Sequence, residues 1–225
     1  MSNVTGGPNI VNNGLVFYMD ASNLVSYTSG DTHITSLTGY ITGNTTSVSF
    51  EPQFYGSWVF NGSNSNISCT PITEINNVTS LTFSFWGKKN GSGEVLGGNT
   101  IQDAAIDKVV LYWWLNGSVY FGARNGAANT SASYSLTYDT NWHYFVGVYE
   151  GGSTLKLYID GGLVDTQVGV PATLSSNIGD SLTIGYVNNS NYSKGNISNV
   201  KIYNVSLSAS EVQQNYNALK SRFGL

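Results

Sequence analysis

The sequence predicts an all-β fold: many short antiparallel strands forming a sandwich or barrel, with one helix at the end. Three observations carry this. Apolar residues recur with a step of two along nearly the whole chain. The runs are dominated by β-branched and aromatic residues, and clusters of Gly, Asn and Ser separate them, which is the pattern of packed sheets rather than alternating strands and helices. Composition agrees: of 225 residues, 26 are Gly, 13% are aromatic and only 10% are charged, where about a quarter charged is usual. With 40% hydrophobic residues the chain is not disordered, and its length suits one domain that buries roughly 70% of its unfolded surface. Solubility must rest on Asn, Ser, Thr and Gly.

The elements follow in chain order. Residues 1–13 read as an N-terminal arm and 14–225 as one domain, with no internal repeat. Leu81, Phe83 and Phe85 alternate with Thr82, Ser84 and Trp86. In residues 109–124, VVLYWWLNGSVYFGAR, the pair Asn116-Gly117 suits a two-residue type I′ turn, whose central positions both need positive φ. That turn would set Leu115 opposite Ser118, Trp113 opposite Tyr120 and Val109 opposite Arg124. One face would then carry Val109, Leu111, Trp113, Leu115, Tyr120 and Arg124. The other, with Val110, Tyr112, Trp114, Val119, Phe121 and Ala123, is more uniformly apolar and is expected to be core. Tyr144, Val146 and Val148 alternate with His143, Phe145, Gly147 and Tyr149; Leu155, Leu157 and Ile159 lead to a hairpin signal at Asp160-Gly161. Leu182, Ile184 and Tyr186 form a further run, and Val200 with Ile202 begins the last. Ser208-Ala209-Ser210-Glu211 is a capping box, followed by an apolar stripe of Val212, Tyr216 and Leu219 that would dock on the sheet. Lys220 and Arg222 stand at the helix C-terminus, where the macrodipole favours cations.

Several functions are excluded at this level. A net charge of −4 without any Lys/Arg run argues against nucleic acid. The longest apolar stretch, Val109–Leu115, is too short for membrane insertion, and MSNVTGGPNIVNNG does not read as a secretory signal. A single Cys69 with only His33 and His143 leaves neither a disulfide framework nor a zinc motif, and no His is paired in sequence with Cys69 to make it a nucleophile. Twelve Asn-x-Ser/Thr sequons are what chance gives in so Asn/Ser/Thr-rich a chain.

Five segments together resemble a known family: GLVFYMDASNLVSY (14–27), WVFNGSNSNI (58–67), LTFSFWGKK (81–89), NWHYFVGVYEGGSTLKLYIDGGLVDT (141–166) and the stretch from LTIGYVNN to the C-terminus (182–225). They are similar to the laminin-G-like branch of the concanavalin A-like lectin/glucanase superfamily. The resemblance implies a jelly-roll sandwich of two antiparallel sheets with the short C-terminal helix at its side. The ending QNYNALKSRFGL is similar to virion-associated proteins of tailed bacteriophages, which implies assembly in the host cytoplasm and a place in the virion. Relatives commonly read Phe-Asp-Gly-Ser-x-Asp-Tyr where this chain has Phe60-Asn61-Gly62-Ser63-Asn64-Ser65-Asn66. With neither acid present, calcium, which prefers several carboxylate or carbonyl oxygens, is expected to bind weakly at most. Asp20 either contributes to that site or anchors the turn after the first strand. No other cofactor is implied.

Glucanases of the superfamily carry Glu-x-Asp-x-x-Glu on one strand, and glycoside hydrolysis needs paired carboxylates about 5–9.5 Å apart. Here Glu51, Glu74, Glu94, Asp103, Asp107 and Glu150 are scattered, so no enzyme is expected. Carbohydrate sites combine flat aromatic faces with planar amides and guanidinium groups. Trp113, Tyr120 and Arg124 would supply these on one hairpin face, with Tyr186, Asn188 and Tyr192 closing a rim. Trp58, Trp86 and Trp142 are expected in the core. Three functions stand: an adhesion module binding surface glycans from a virion, a structural decoration module contacting other virion proteins, and, least supported, a glycan-degrading enzyme. A homo-oligomer, trimeric by analogy with fibres, is expected for either of the first two.

Overall fold

The computed structural model describes residues 8–91, 94–103, 106–125, 128–174, 182–187 and 191–225. Two sheets of eight strands each face one another, and every pairing is antiparallel. The first sheet runs β14 (Gly162–Val168), β13 (Thr154–Ile159), β12 (His143–Glu150), β7 (Ser80–Lys89), β18 (Lys194–Tyr203), β5 (Ser57–Asn61) and β4 (Ser49–Glu51). Its eighth strand, β1 (Leu15–Asp20), takes the length of β18 that β5 leaves open. The second sheet runs β11 (Ala128–Ser135), β10 (Ser118–Asn125), β9 (Ile106–Trp113), β8 (Leu96–Asp103), β15 (Leu182–Ile184), β6 (Asn66–Cys69), β3 (Thr42–Thr46) and β2 (His33–Thr35). A small hairpin pairs β16 (Tyr186–Val187) with β17 (Asn191–Tyr192). One α-helix, α1 (Ala209–Leu219), closes the chain. This is the concanavalin A-like sandwich that the resemblance implied.

The core lies in two layers. Between the sheets sit Phe17, Trp58, Phe60, Phe83, Phe85, Leu111, Trp113, Phe121, Phe145 and Tyr149 with their aliphatic neighbours; each large side chain removed from water contributes about 1.5–3 kcal/mol. A second apolar layer covers the outer face of the first sheet. There Trp86, Tyr144, Val146, Tyr158 and Tyr203 pack beneath Val212 of α1, Leu207 and Phe223. Trp86 is stacked on Tyr144 and on Phe223, with centroids 5.2 and 4.3 Å apart. Strands β7 and β12 are therefore apolar on both faces because both faces are covered. Trp58, Trp86 and Trp142 are core as expected.

The helix begins as its sequence dictates. The Ser208 hydroxyl accepts from the Glu211 amide at 3.3 Å and the Glu211 carboxylate accepts from the Ser208 amide at 2.8 Å, the reciprocal capping box. Beyond it, Arg222 works as a clamp. Its guanidinium donates to both oxygens of Asp20 at 2.9 and 3.1 Å, to the carbonyls of Phe54 and Gly56, both at 2.9 Å, and to the Ser198 hydroxyl. Asp20 also accepts from the Ser22 amide and hydroxyl and from the Tyr18 hydroxyl. Burial opposes its charge, but Arg222 and Ser22 hold its carboxyl below the usual carboxylate range. Beneath lies Lys201, fully buried over the Tyr18 ring, and burial pulls its ammonium down to about 7. The clamp holds Phe54 and Tyr55 in the left-handed region, at φ 54° and 66°, a conformation that costs a non-glycine residue about 1–3 kcal/mol.

The two dipeptide turns behave differently. Asp160 and Gly161 adopt φ 51° and 83° and bring Ile159 opposite Gly162, the two-residue hairpin that the sequence signals. At Asn116-Gly117 only Gly117 has positive φ, at 85°. The Gly117 amide donates to the Trp114 carbonyl at 3.1 Å and the Trp114 amide to the Ser118 carbonyl at 2.7 Å, so the connection is a three-residue loop with a bulge at the glycine. Trp113 consequently pairs with Val119, not Tyr120, and Val109 with Ala123, not Arg124. One residue of slip exchanges one strand's faces relative to the other. The core face is Val109, Leu111, Trp113, Val119, Phe121 and Ala123, and the expected division of faces is corrected accordingly.

Candidate functional site

The outer face of the second sheet carries half-buried and exposed side chains along β9–β10–β11, and its chemistry follows from the corrected register. Gly97, Tyr112, Tyr120 and Ser133 stand side by side across β8, β9, β10 and β11. The Tyr112 and Tyr120 rings lie 5.3 Å apart, and Trp114 meets Tyr112 edge-on at 5.5 Å. All three rings are partly exposed. Two positions further along β10, Gly122 lies between Val110 and Ser131, and Arg124 follows on the same face. Ser131, Ser133 and Ser135 are exposed along β11. The result is a shelf of aromatic rings with a glycine gap, a guanidinium and a row of hydroxyls.

Polar residues continue this face. Thr183, Ser68, Asn44 and His33 form one row across β15, β6, β3 and β2. At the rim, Tyr186 and Tyr192 pair across their hairpin with centroids 4.8 Å apart. An open cleft of about 320 Å³ is lined by Glu94, Leu115, Tyr192 and Lys194, with Glu94 paired to Lys194 at 2.7 Å. A second cleft of about 330 Å³ lies across Leu115, between Asn116, Leu136 and Tyr138. Lys89 lines it, donating to the Trp114 carbonyl at 2.6 Å. Burial pushes its ammonium down to about 8, although Glu94 opposes the shift.

Of the residues singled out in the sequence, Tyr120 and Arg124 share this face and Tyr186 and Tyr192 meet at its rim. Trp113 does not join them. It is fully buried between the sheets, its indole N–H donating to the Gly117 carbonyl at 3.0 Å, and it presents no surface to a ligand. The aromatic pair that accompanies Tyr120 is Tyr112 and Trp114. Asn188 and the side chains of Asp103 and Asp107 lie outside the described residues.

Among the described residues, the expected positions form neither a metal site nor a catalytic constellation. The Asn61 side-chain carbonyl accepts from the amides of Ser63, Asn64 and Ser65 and from the Ser65 hydroxyl. It therefore closes its own loop. Asp20 is engaged by Arg222, Ser22 and Tyr18, so its oxygens are spent on anchoring the turn and the C-terminal segment. Glu51 pairs with Lys88 and Asn196, and Glu150 with Lys156 and Thr154. Two carboxylates do converge, where sequence reasoning did not look: Asp160 and Asp139 approach the two ring nitrogens of His143 at 2.7 and 3.1 Å. Burial disfavours the imidazolium, but the two carboxylates outweigh it and raise the pKa of His143. The short spacings Asp139–His143 and His143–Asp160 were the available signal. Cys69 is half-buried, and burial pushes its thiol up to about 12, so it stays protonated.

A laminin-G-type family profile of the concanavalin A-like lectin/glucanase superfamily matches residues 61–213. The chain belongs to that superfamily. No curated protein sequence matches it significantly. Among solved structures, it is similar to domain 4 of AbnA, a GH43 extracellular arabinanase from Geobacillus stearothermophilus solved with arabinotriose. There the TM-score is 0.68 at 17% identity, covering 90% of this chain and 98% of that one. It is also similar to the binding domain of botulinum neurotoxin DC in complex with SialylT, with TM-score 0.67 at 16% identity. That match covers 92% of this chain but 52% of the neurotoxin domain, so this chain spans about half the length of such domains. At these identities the likenesses show a shared concanavalin A-like fold.

Proposed function

We propose that the chain is a non-catalytic carbohydrate-binding module and that the outer face of its second sheet is the binding surface. The observation that carries this is the exposed ring cluster Tyr112, Tyr120 and Trp114 beside Arg124 and a serine row. A sugar ring lays its C–H face on a flat aromatic, and its hydroxyls pair with planar guanidinium and hydroxyl groups at the edge; Tyr and Trp supply such area at low entropic cost. The arabinotriose seen with the AbnA domain, which matches this chain nearly end to end, supports the reading. So does the engagement of the described acids by other groups of the chain: Glu51, Glu94 and Glu150 each pair with a lysine, and Asp139 and Asp160 with His143. The resemblance of the C-terminal segment to phage virion-associated proteins supports a place on a virion surface, where an oligomer would multiply weak sugar contacts.

The test is a glycan array with the intact protein, followed by Tyr120→Ala and Trp114→Ala. Saturable binding that both variants lose is expected. Undiminished binding in both moves the site elsewhere, and silence towards every glycan favours a structural role against other virion proteins. Release of reducing ends from a bound polysaccharide would overturn the non-catalytic reading.

A further inference from the structure

We propose a second ligand site, remote from the sheet face and independent of it: a cleft beside the C-terminal helix that takes one neutral sugar ring, with Tyr55 as its platform. The cleft encloses about 450 Å³ between Asp20, Ser22, Tyr55, Leu219, Ser221 and Arg222, a volume within the range of small-ligand sites.

The placement of Tyr55 is the primary observation. Consecutive aromatics at φ 54° and 66° occupy backbone positions that favour glycine or asparagine, so stability alone does not explain them. The two rings part company. Phe54 packs edge-on to Trp142 at 6.1 Å and lies beneath the Lys88 ammonium at 5.6 Å. Tyr55 stays 65% exposed at the lip of the cleft. The backbone that holds it there is pinned on both sides, since Arg222 takes the carbonyls of Phe54 and Gly56. A preorganised, exposed aromatic is the group that a sugar face needs, and strain of this kind gathers at ligand clamps.

The ligand's charge follows from the floor. Arg222 commits its N–H groups to Asp20, Phe54, Gly56 and Ser198. Both Asp20 oxygens already accept several bonds. Neither an anion nor a cation therefore finds an uncompensated partner there. The Ser22 hydroxyl donates to Asp20 at 2.8 Å and keeps acceptor capacity for a ligand O–H. Ser221 is exposed opposite, and Leu219 offers an apolar side. Stacking area with hydroxyl partners and no free charge is the complement of a neutral pyranose or furanose.

The experiment is an NMR titration of ¹⁵N-labelled full-length protein with the methyl glycosides of glucose, galactose, mannose, N-acetylglucosamine, arabinose and glucuronic acid. Saturable shifts of the Ser22, Tyr55 and Ser221 amides are expected with at least one neutral glycoside. Tyr55→Gly should weaken that binding about tenfold, ~1.4 kcal/mol, while leaving the melting temperature unchanged or higher, because glycine accepts the left-handed backbone. Tyr55→Phe should retain binding, and Tyr120→Ala should not affect these amides. The proposal is overturned if no glycoside shifts them, if glucuronate binds as well as the neutral sugars, or if Tyr55→Gly binds like the parent. Loss of array binding in Tyr120→Ala with Tyr55 still responding would separate this site from the sheet face.

Discussion

The outer faces of the two sheets start from the same strand chemistry and are finished in opposite ways. On the first sheet, Trp86, Tyr144, Val146 and Tyr203 are sealed beneath α1 and Phe223, together with a buried polar seam of Asp20, Lys201 and Asn199 beside the half-buried Tyr18. On the second, Tyr112, Trp114 and Tyr120 remain partly exposed among serines. Aromatic residues on the sealed face hold the fold together, and their counterparts on the open face keep part of each ring exposed. Large rings left uncovered on a chain that can cover them point to a surface with work outside the molecule.

The widest departure between the faces should come from the clamp. Arg222→Ala strands the buried Asp20 carboxylate and should cost about 3–5 kcal/mol, read as a fall in the urea midpoint. The intact pair also sets an acid limit. A depressed carboxyl contributes stability that is full above its ordinary value and is lost as pH falls through the lowered one, so unfolding in acid should lose that component in Asp20→Asn. Trp86→Ala empties the stack under the helix and should cost about 3–5 kcal/mol by thermal melting. A cost below 1 kcal/mol would mean the seal is not structural.

Smaller effects are expected at His143, which joins the first sheet to the loop carrying Asp139. Its raised pKa contributes stability that is complete below the ordinary histidine value and disappears as pH rises through the raised one. Melting temperature should therefore decline as pH rises above the ordinary histidine value, and His143→Gln should flatten that slope, with about 1–3 kcal/mol at stake in its charged hydrogen bonds. Smallest of all, Tyr112→Ala and Tyr120→Ala should each change stability by no more than ~1 kcal/mol, while glycan binding falls. A large loss of stability in either would erase the contrast between the faces.

Much of the fold was legible because local signals agreed with packing. The capping box, the apolar stripe of α1 and the Asp160-Gly161 turn each contain their own instructions within a few residues. Asn116-Gly117 was legible as a turn but not in its register. The Gly117 carbonyl accepts from the Trp113 indole and from the Leu136 amide, both at 3.0 Å, and these partners beyond the dipeptide select the bulged loop over the two-residue one. Both faces of that hairpin are rich in aromatics, so periodicity could not say which was inside. Tyr120 and Arg124 were found together because residues four apart on one strand share a face in any register. Trp113 was misplaced because it lies on the other strand. The Asp20–Arg222 pair spans nearly the whole chain, and no local pattern announces it.

The sealed face also gathers the chain's described end segments. The Val11 amide donates to the Asn215 side chain, Gln214 reaches the Asn9 carbonyl, and Phe223 completes the same layer. The domain is thereby polar in the sense of a plug and socket. A support, a neighbouring module or a fusion partner joined at either segment meets the helix side, and the aromatic shelf is held out towards the medium.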